Sequence, residues 1–437
     1  MQNELKICIT KTIRILMRRK KMRLKKLIQK KGIKEILMIT LRHLFFPINK
    51  LIFMCFRMLP INNHVLVFES EGDFSDNAYA FYEYVKDNSK KDVYKYVWLV
   101  DDLKKCKKYK TSNTVVVKKR PARIALVADY YLAVCKFYIY DHTNILGMYG
   151  KRKEQKIINL WHGCSFKKTT ASASDKGINS EDIMTVTGDF WKDIMSEFVC
   201  CDNRKSVSLG YPRNDYLFTN NHLLEKWKKK YKTETYKKIF FWMPTFRQSK
   251  IMSISEDYYD GETGLPIFLS IDELELLNKF LHEYNSLLLF KVHHLQLDYP
   301  AFKKNYSNIK IVTDREINNN GLQLYQVIGV SDALITDYSA IFNDYLLLNR
   351  PMIFTLDDYK QYKESRGFSI DNPLEYYPGF HVYNQEEFYK AIKDILEDRD
   401  PYIEHRNKIR LLMHKYVDGN SCKRISDYIG IKTGGNK

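Results

Sequence analysis

The stretch from Ala333 to Thr355, ALITDYSAIFNDYLLLNRPMIFT, restricts the possible folds more than any other part of the chain. A short apolar run, Ala333-Leu334-Ile335, meets the polar turn Thr336-Asp337-Tyr338-Ser339. Apolar side chains then recur at helical spacing at Ile341, Phe342, Tyr345, Leu346 and Leu348. Asn349-Arg350-Pro351 ends the helix, because proline lacks an amide hydrogen and restricts the residue before it. Met352-Ile353-Phe354 then begins a second strand. Strand, turn, helix and strand in this order form a βαβ unit, and βαβ units build parallel sheets. Ligands of open parallel sheets sit beyond the carboxyl ends of the strands, where free amides at a helix start favour phosphate. Asp337, Ser339 and Ala340 occupy that position; a simple helix cap by Asp337 or Ser339 is the alternative, and this segment alone leaves both open.

The same pattern recurs along the chain. Val65-Leu66-Val67-Phe68 reads as a buried strand, followed by a turn near Gly72 and a helix from Ala78 to Val85. Further strands are expected at 96–100, 114–117, 137–140 and 157–161, with a helix from about Pro121 to Tyr131. The charged stretch from Lys226 to Lys238 marks a boundary, after which Ile239 to Met243 starts the pattern again. The sequence therefore predicts an α/β protein with two Rossmann-like domains, residues 61–235 and 236–430, preceded by a distinct segment, residues 1–60. No GxGxxG motif is present, so no dinucleotide cofactor is expected.

Charge sets the first segment apart. The chain has a formal net charge of +19, and residues 1–50 hold fifteen Lys and Arg against only Glu4 and Glu35. Apolar and basic residues interleave there, as in Ile13-Arg14-Ile15-Leu16-Met17-Arg18-Arg19. Arg42, Lys50 and Arg57 interrupt the more apolar part, so no uncharged run approaches the ~18 residues of a membrane span. A signal peptide's unbroken apolar core and cleavage site are missing as well. The segment is expected to be a basic amphipathic helix lying on an anionic membrane surface, with Phe45, Phe46, Phe53 and Phe56 favouring lipid over a nucleic-acid-binding arm. The eight cysteines are scattered, without a CxxC pair or a His/Cys cluster at zinc spacing. They suit a reducing cytosol and give no support for a metal site.

Several other strand ends carry polar residues. Ile157 to Trp161 delivers His162-Gly163, with Lys167 and Lys168 close behind. Histidine titrates near working pH and suits a general base; glycine permits a tight turn and close approach of a ligand, and the lysines attract phosphate. A packed, hydrogen-bonded histidine is the structural alternative. Gly210-Tyr211-Pro212-Arg213-Asn214-Asp215 has turn composition, with local pairing of Arg213 and Asp215 possible on spacing alone. Arg247, in Pro244-Thr245-Phe246-Arg247, offers a bidentate phosphate contact, and Ser286 to Phe290 runs into Lys291-Val292-His293-His294.

In this order, Trp161-His162-Gly163, Gly210 to Asp215, Pro244 to Arg247, Lys291-Val292-His293, Asp337-Tyr338-Ser339-Ala340 and Arg366-Gly367-Phe368 resemble the CDP-glycerol glycerophosphotransferase family of teichoic acid synthesis, over about Val65 to Phe368. The resemblance implies a glycosyltransferase-B-like fold whose two domains face a cleft. It implies transfer of glycerol phosphate from CDP-glycerol to a lipid-linked polyol-phosphate acceptor at the cytoplasmic face of the membrane, with release of CMP. It assigns His162 and His293 to catalysis, and Arg247, Lys291, Asp337, Ser339, Ala340 and Asp344 to the donor and its phosphates. Gly163, Lys167, Arg213, Asn214 and Asp215 fall on the cleft or acceptor side. Two positions depart from the family pattern: His294 replaces a usual proline, and Ala340 replaces a second serine. A CDP-ribitol or other alditol-phosphate transferase, and a nucleotide-sugar glycosyltransferase of the same fold, are the rival enzyme readings. A basic nucleic-acid-binding protein is the rival without catalysis.

Overall fold

The computed structural model describes residues 33–119, 122–168, 180–245, 262–292 and 296–434. Two parallel sheets form its frame. The first contains β1 (Asn62–Glu69), β2 (Lys95–Val100), β3 (Thr114–Lys118), β4 (Cys135–Tyr140), β5 (Lys156–Asn159), β6 (Ile183–Val186) and β7 (Ser206–Ser208), in the spatial order 3-2-1-4-5-6-7. The second contains β8 (Lys238–Trp242), β9 (Ser286–Phe290), β10 (Ile309–Ile311), β11 (Ala333–Thr336), β12 (Met352–Thr355) and β13 (Phe380–Val382), in the order 10-9-8-11-12-13. In both sheets the direction of strand addition reverses at the first strand. A crevice opens at such a switch point beyond the strand ends, here between β1 and β4 and between β8 and β11.

Continuous apolar runs are needed because helices cover both faces of each sheet. Along β1, Leu66 and Phe68 enter one core with Trp98 and Ile139, while Val65 and Val67 enter the opposite core with Val97 and Tyr138. In the second sheet, Phe240 and Trp242 pack on one face with Leu288 and Phe290, and the Trp242 and Phe290 rings stack at 4.8 Å. Phe241, Leu287 and Leu334 face the other way, into a core that runs on into the first domain through Phe342, Phe166, Trp191 and Met184. The two domains thus share an apolar seam below their facing strand ends. The indole of Trp191 donates to Asn343 Oδ1 at 2.9 Å, and His414 bonds to the Asn343 carbonyl at 2.7 Å.

The helix after β11 runs from Ile341 to Tyr345 and tightens into a 3-10 turn at Leu346–Leu348. Asn349, with φ of 51°, ends it in the left-handed region. At the far end of the chain, helix Ser421–Ile429 crosses back to the first domain, where Cys422, Ile425 and Ile431 join Leu66 and Phe68. Residues 236–430 therefore do not all pack together, because the last helix buries its apolar face on the other domain.

Helix Ile33–Phe56 packs on the first domain through one side. Phe53 is fully buried, Phe46 and Phe53 meet Tyr149 edge-on at 5.3 and 5.2 Å, and Asn49 bonds to the Arg123 carbonyl and the Ala125 amide at 3.0 Å each. This helix is less basic than the sequence reading expects, since Arg42 and Lys50 are the charged residues between Leu37 and Phe56. By length and composition alone, Leu37–Phe56 is apolar enough to cross a membrane, with a mean hydropathy of 1.3, where the sequence reading expects no span. The difference arises because the sequence reading requires an uncharged run, whereas a span by composition tolerates the two charges, Arg42 and Lys50, that this stretch contains.

Candidate active site

A cavity of about 520 Å³ lies between the two sheets' carboxyl ends and draws its walls from both domains. Asp76, His162 and Arg213 line it from the first domain, and Tyr325, Ser339 and Ala340 line it from the second. His162 lies just past the end of β5. Trp161 before it has φ of 49°, a left-handed conformation that bulky residues rarely adopt, and Gly163 after it has φ of 133°. A Cβ at Gly163 would stand 3.0 Å from the Arg213 guanidinium and 3.1 Å from the Ala340 side chain, so glycine is required there for the domains to approach.

The His162 Nδ1–H donates to the Asp141 carbonyl at 3.0 Å. This bond fixes the tautomer and leaves Nε2 as the basic nitrogen. Burial pushes His162 down to about 4, and the neighbouring His142 adds to that push. The imidazole is therefore neutral at working pH and able to accept a proton.

Arg213 joins the domains. Its guanidinium bonds Asp76 Oδ1 at 2.7 Å on its own domain and Asp344 Oδ2 at 2.8 Å on the other, and it lies over the Tyr325 ring. Burial opposes its charge, but Asp76, Tyr325 and Asp344 outweigh that and hold it firmly protonated. Burial likewise works against the Asp76 carboxylate, and Arg213 with the two histidines overcomes it, so Asp76 stays below the usual carboxylate range. Arg213 pairs with these two carboxylates rather than with Asp215.

The structure distributes the remaining candidates unevenly. Ser339 and Ala340 border the cavity. Asp337 is fully buried and accepts from the Thr245 amide and hydroxyl and from the Ser339 amide, at 2.8, 2.6 and 3.1 Å. It shapes the loops after β8 and β11 and does not face the cavity. Asp344 is fully buried too, its oxygens taken by Arg213, by Asn214 at 3.1 Å and by Tyr325 at 2.5 Å. Asp344 and Asn214 thus fasten the domains together instead of presenting polar atoms to a donor. Asp215 turns away from the cleft and accepts the Ser421 and Cys422 amides at 2.8 Å each, anchoring the last helix. Lys291 pairs at 3.1 Å with Asp314, a residue of the cavity wall. Lys167 forms an antiparallel bridge with Phe368, which ties the loop after His162 to the Arg366-Gly367-Phe368 turn. Arg247, His293 and His294 lie outside the described residues.

Asp76, Asp141, His142 and Tyr325 belong to this constellation, yet sequence reasoning does not single them out. The signal available for three of them was position: Asp76 follows β1, and Asp141 with His142 follows β4, the two strands on either side of the switch point. Among the described residues no group of three or more His, Cys, Asp or Glu is placed to hold a metal ion.

Comparison with known proteins agrees with this architecture. Wall teichoic acid polymerase TagF has a solved structure that superposes with a TM-score of 0.67 at 22% identity, covering 90% of this chain and 96% of the other. A teichoic acid poly(glycerol phosphate) polymerase from Bacillus spizizenii is 26% identical over 364 residues, 77% of this chain and 85% of that protein. A teichoic acid ribitol-phosphate primase from the same organism is 27% identical over 322 residues, 69% of this chain and 76% of that protein. The family model described as CDP-Glycerol:Poly(glycerophosphate) glycerophosphotransferase matches residues 51–430, a span that includes both sheets and the cavity between them, and the chain belongs to that family of enzymes.

Proposed function

We propose that the chain transfers glycerol phosphate from CDP-glycerol to the hydroxyl end of a lipid-linked polyol-phosphate acceptor, as a step in building a teichoic acid or related surface polymer. One observation carries the reading: a neutral histidine, with Nδ1 bonded to a carbonyl and Nε2 left basic, lines a cavity shared by the switch points of two parallel-sheet domains. In the proposed step the acceptor hydroxyl attacks the β-phosphorus of CDP-glycerol in line. Its proton passes to His162 Nε2, the new oxygen–phosphorus bond forms, and the bond from that phosphorus to the CMP oxygen breaks. Cationic and hydrogen-bonding groups stabilise the charge on the transferring phosphoryl oxygens. Arg247, His293 and Lys291 are proposed for that role, with the chain start of helix Ile341–Tyr345 at Ser339 and Ala340 beside the phosphates.

The membrane side of the proposal rests on helix Ile33–Phe56 and the neighbouring helix Leu126–Val134. Leu44, Leu51, Leu126 and Val127 are all more than half exposed there. Such a surface suits docking at the cytoplasmic face of a membrane that holds the acceptor.

CMP release from CDP-glycerol in the presence of a short soluble glycerol-phosphate acceptor tests the reaction. CDP-ribitol and several nucleotide sugars are assayed alongside. Release from a nucleotide sugar alone would overturn the proposal. Ribitol phosphate remains the second reading, because a ribitol-phosphate primase resembles the chain as closely as a glycerol-phosphate polymerase does.

A further inference from the structure

We infer that His142 is a positioning residue that keeps His162 unprotonated, holding the single proton of a stacked histidine pair on the ring that does not line the cavity. This inference rests on the reading of His162 as the base, and its test separates the two.

The geometry has three parts. The His142 and His162 rings stack with centroids 4.1 Å apart and planes within 9° of parallel. Each nitrogen of His142 has a carboxylate: Nδ1 donates to Asp141 Oδ1 at 2.7 Å, and Nε2 stands 3.0 Å from Glu71 Oε2. His162 has no such partner on Nδ1, which meets the uncharged Asp141 carbonyl.

Two imidazoles this close tolerate one positive charge far better than two, because like charges in partly buried surroundings repel strongly. The proton resides where the opposite charges are. One carboxylate bonded at Nδ1 and a second within ion-pair distance of Nε2 favour the imidazolium form, so His142 is the charged member. Burial opposes that charge, but the Asp141, Asp76 and Glu71 carboxylates outweigh it and raise His142 above its ordinary range. Burial pushes Asp141 up to about 6, with His142 working in the other direction, so its carboxylate is ionised at neutral pH.

The other charges around His162 do not reverse the assignment. Asp76 from the loop after β1 favours a charged His162, while Arg213 from the turn after β7 opposes it. Those two are themselves paired at 2.7 Å, which blunts both. The Asp141 and Glu71 carboxylates meet the His142 nitrogens at 2.7 and 3.0 Å, whereas His162 Nδ1 meets the Asp141 carbonyl. Lys105, on the cavity wall, adds a further positive charge.

Titration of ¹³C-histidine-labelled full-length protein by NMR tests the inference without reference to turnover. In the unaltered protein His142 should lose its proton at a higher pH than His162; the reverse order overturns the inference even if no variant folds. His142→Phe keeps a stacked ring and removes the charge, so the His162 midpoint should rise by about one unit or more. His142→Lys restores a cation and should return the midpoint toward its original value. An unmoved His162 midpoint in a folded His142→Phe protein overturns the inference.

The rate profile supplies the separation. If His162 is the base, the acidic limb of kcat/KM moves upward with its midpoint in His142→Phe, whereas a purely structural role would lower the rate equally at every pH. If the midpoint moves and the limb does not, the coupling stands and the assignment of His162 as base fails.

Discussion

Protonation at a single ring nitrogen decides what His162 can do. Removing that nitrogen with His162→Ala should lower turnover by roughly 100-fold or more while leaving CMP binding nearly unchanged, the usual scale for a positioned general base. Equal activity in the variant would remove His162 from the mechanism. The pH dependence follows from the same group. Its ordinary value is 6.5 and burial brings it to about 4, so the neutral form persists well below pH 6. The acidic limb of kcat/KM should accordingly fall nearer pH 4 than pH 6.5, and a limb at 6.5 would mean that His162 is not the titrating base. Arg213 calls for a stability measurement instead. Arg213→Ala strands Asp344, fully buried, beside Asp76, and should cost about 3–5 kcal/mol in denaturant unfolding. Part of this chemistry is legible from sequence, since a histidine followed by glycine at a strand end is a local pattern. The buried commitments of Asp344, Asp337 and Asp215 are not, because their partners Arg213, Thr245 and Ser421 lie 131, 92 and 206 residues away. Asp76 and His142 are hidden for a related reason: β1 and β4 become neighbours only when the sheet forms.

Strands and helices were the more readable level, since parallel strands covered on both faces must be continuously apolar and the helices between them must show their own period. The Ala333 to Thr355 unit folds as that logic requires, with Asn349 closing the helix ahead of Pro351. Helix Ser421–Ile429 shows where the logic stops. Its apolar face is plain in the sequence, but which domain receives it depends on Asp215 presenting two acceptors to its first amides. Asp215→Ala should therefore destabilise the protein by about 1–2 kcal/mol, the cost of a lost helix cap, with the CMP-binding affinity retained. Loss of affinity without loss of stability would return Asp215 to the cleft. The seam between domains makes a separate prediction through His414, whose Nε2–H donates to the Asn343 carbonyl. Burial depresses His414 to about 4 from 6.5, so the unfolded chain binds the extra proton first. Stability from this group is present above pH 6.5 and declines as the pH falls toward 4, by a few kcal/mol at most. Unfolding midpoints that rise on acidification through this window would contradict it.

At the scale of the whole molecule, the proposed reaction requires the cavity to meet an acceptor held in a membrane, and docking raises the effective concentration of such an acceptor. Deleting residues 1–60 would be a poor test, because Phe46 and Phe53 pack on Tyr149 and their loss would open the first domain's core. Exposed positions avoid that difficulty. Leu44 and Leu51 on the first helix, and Leu126 and Val127 on its neighbour, are all more than half exposed. Replacing these four with Asp removes apolar insertion and adds charge repelled by anionic headgroups, while the packed face stays intact. The variant should leave anionic vesicles in a flotation assay and lose activity on a membrane-bound acceptor, yet keep its turnover with a short soluble acceptor. Salt adds a second axis, since the electrostatic share of binding weakens with ionic strength and the apolar share does not. High salt should release part of the unaltered protein and detergent the remainder. Unchanged flotation of the four-fold variant would overturn docking through this surface. Protection of both ends of the Leu37–Phe56 stretch from protease, with resistance to every extraction short of dissolving the bilayer, would instead establish that this helix crosses the membrane.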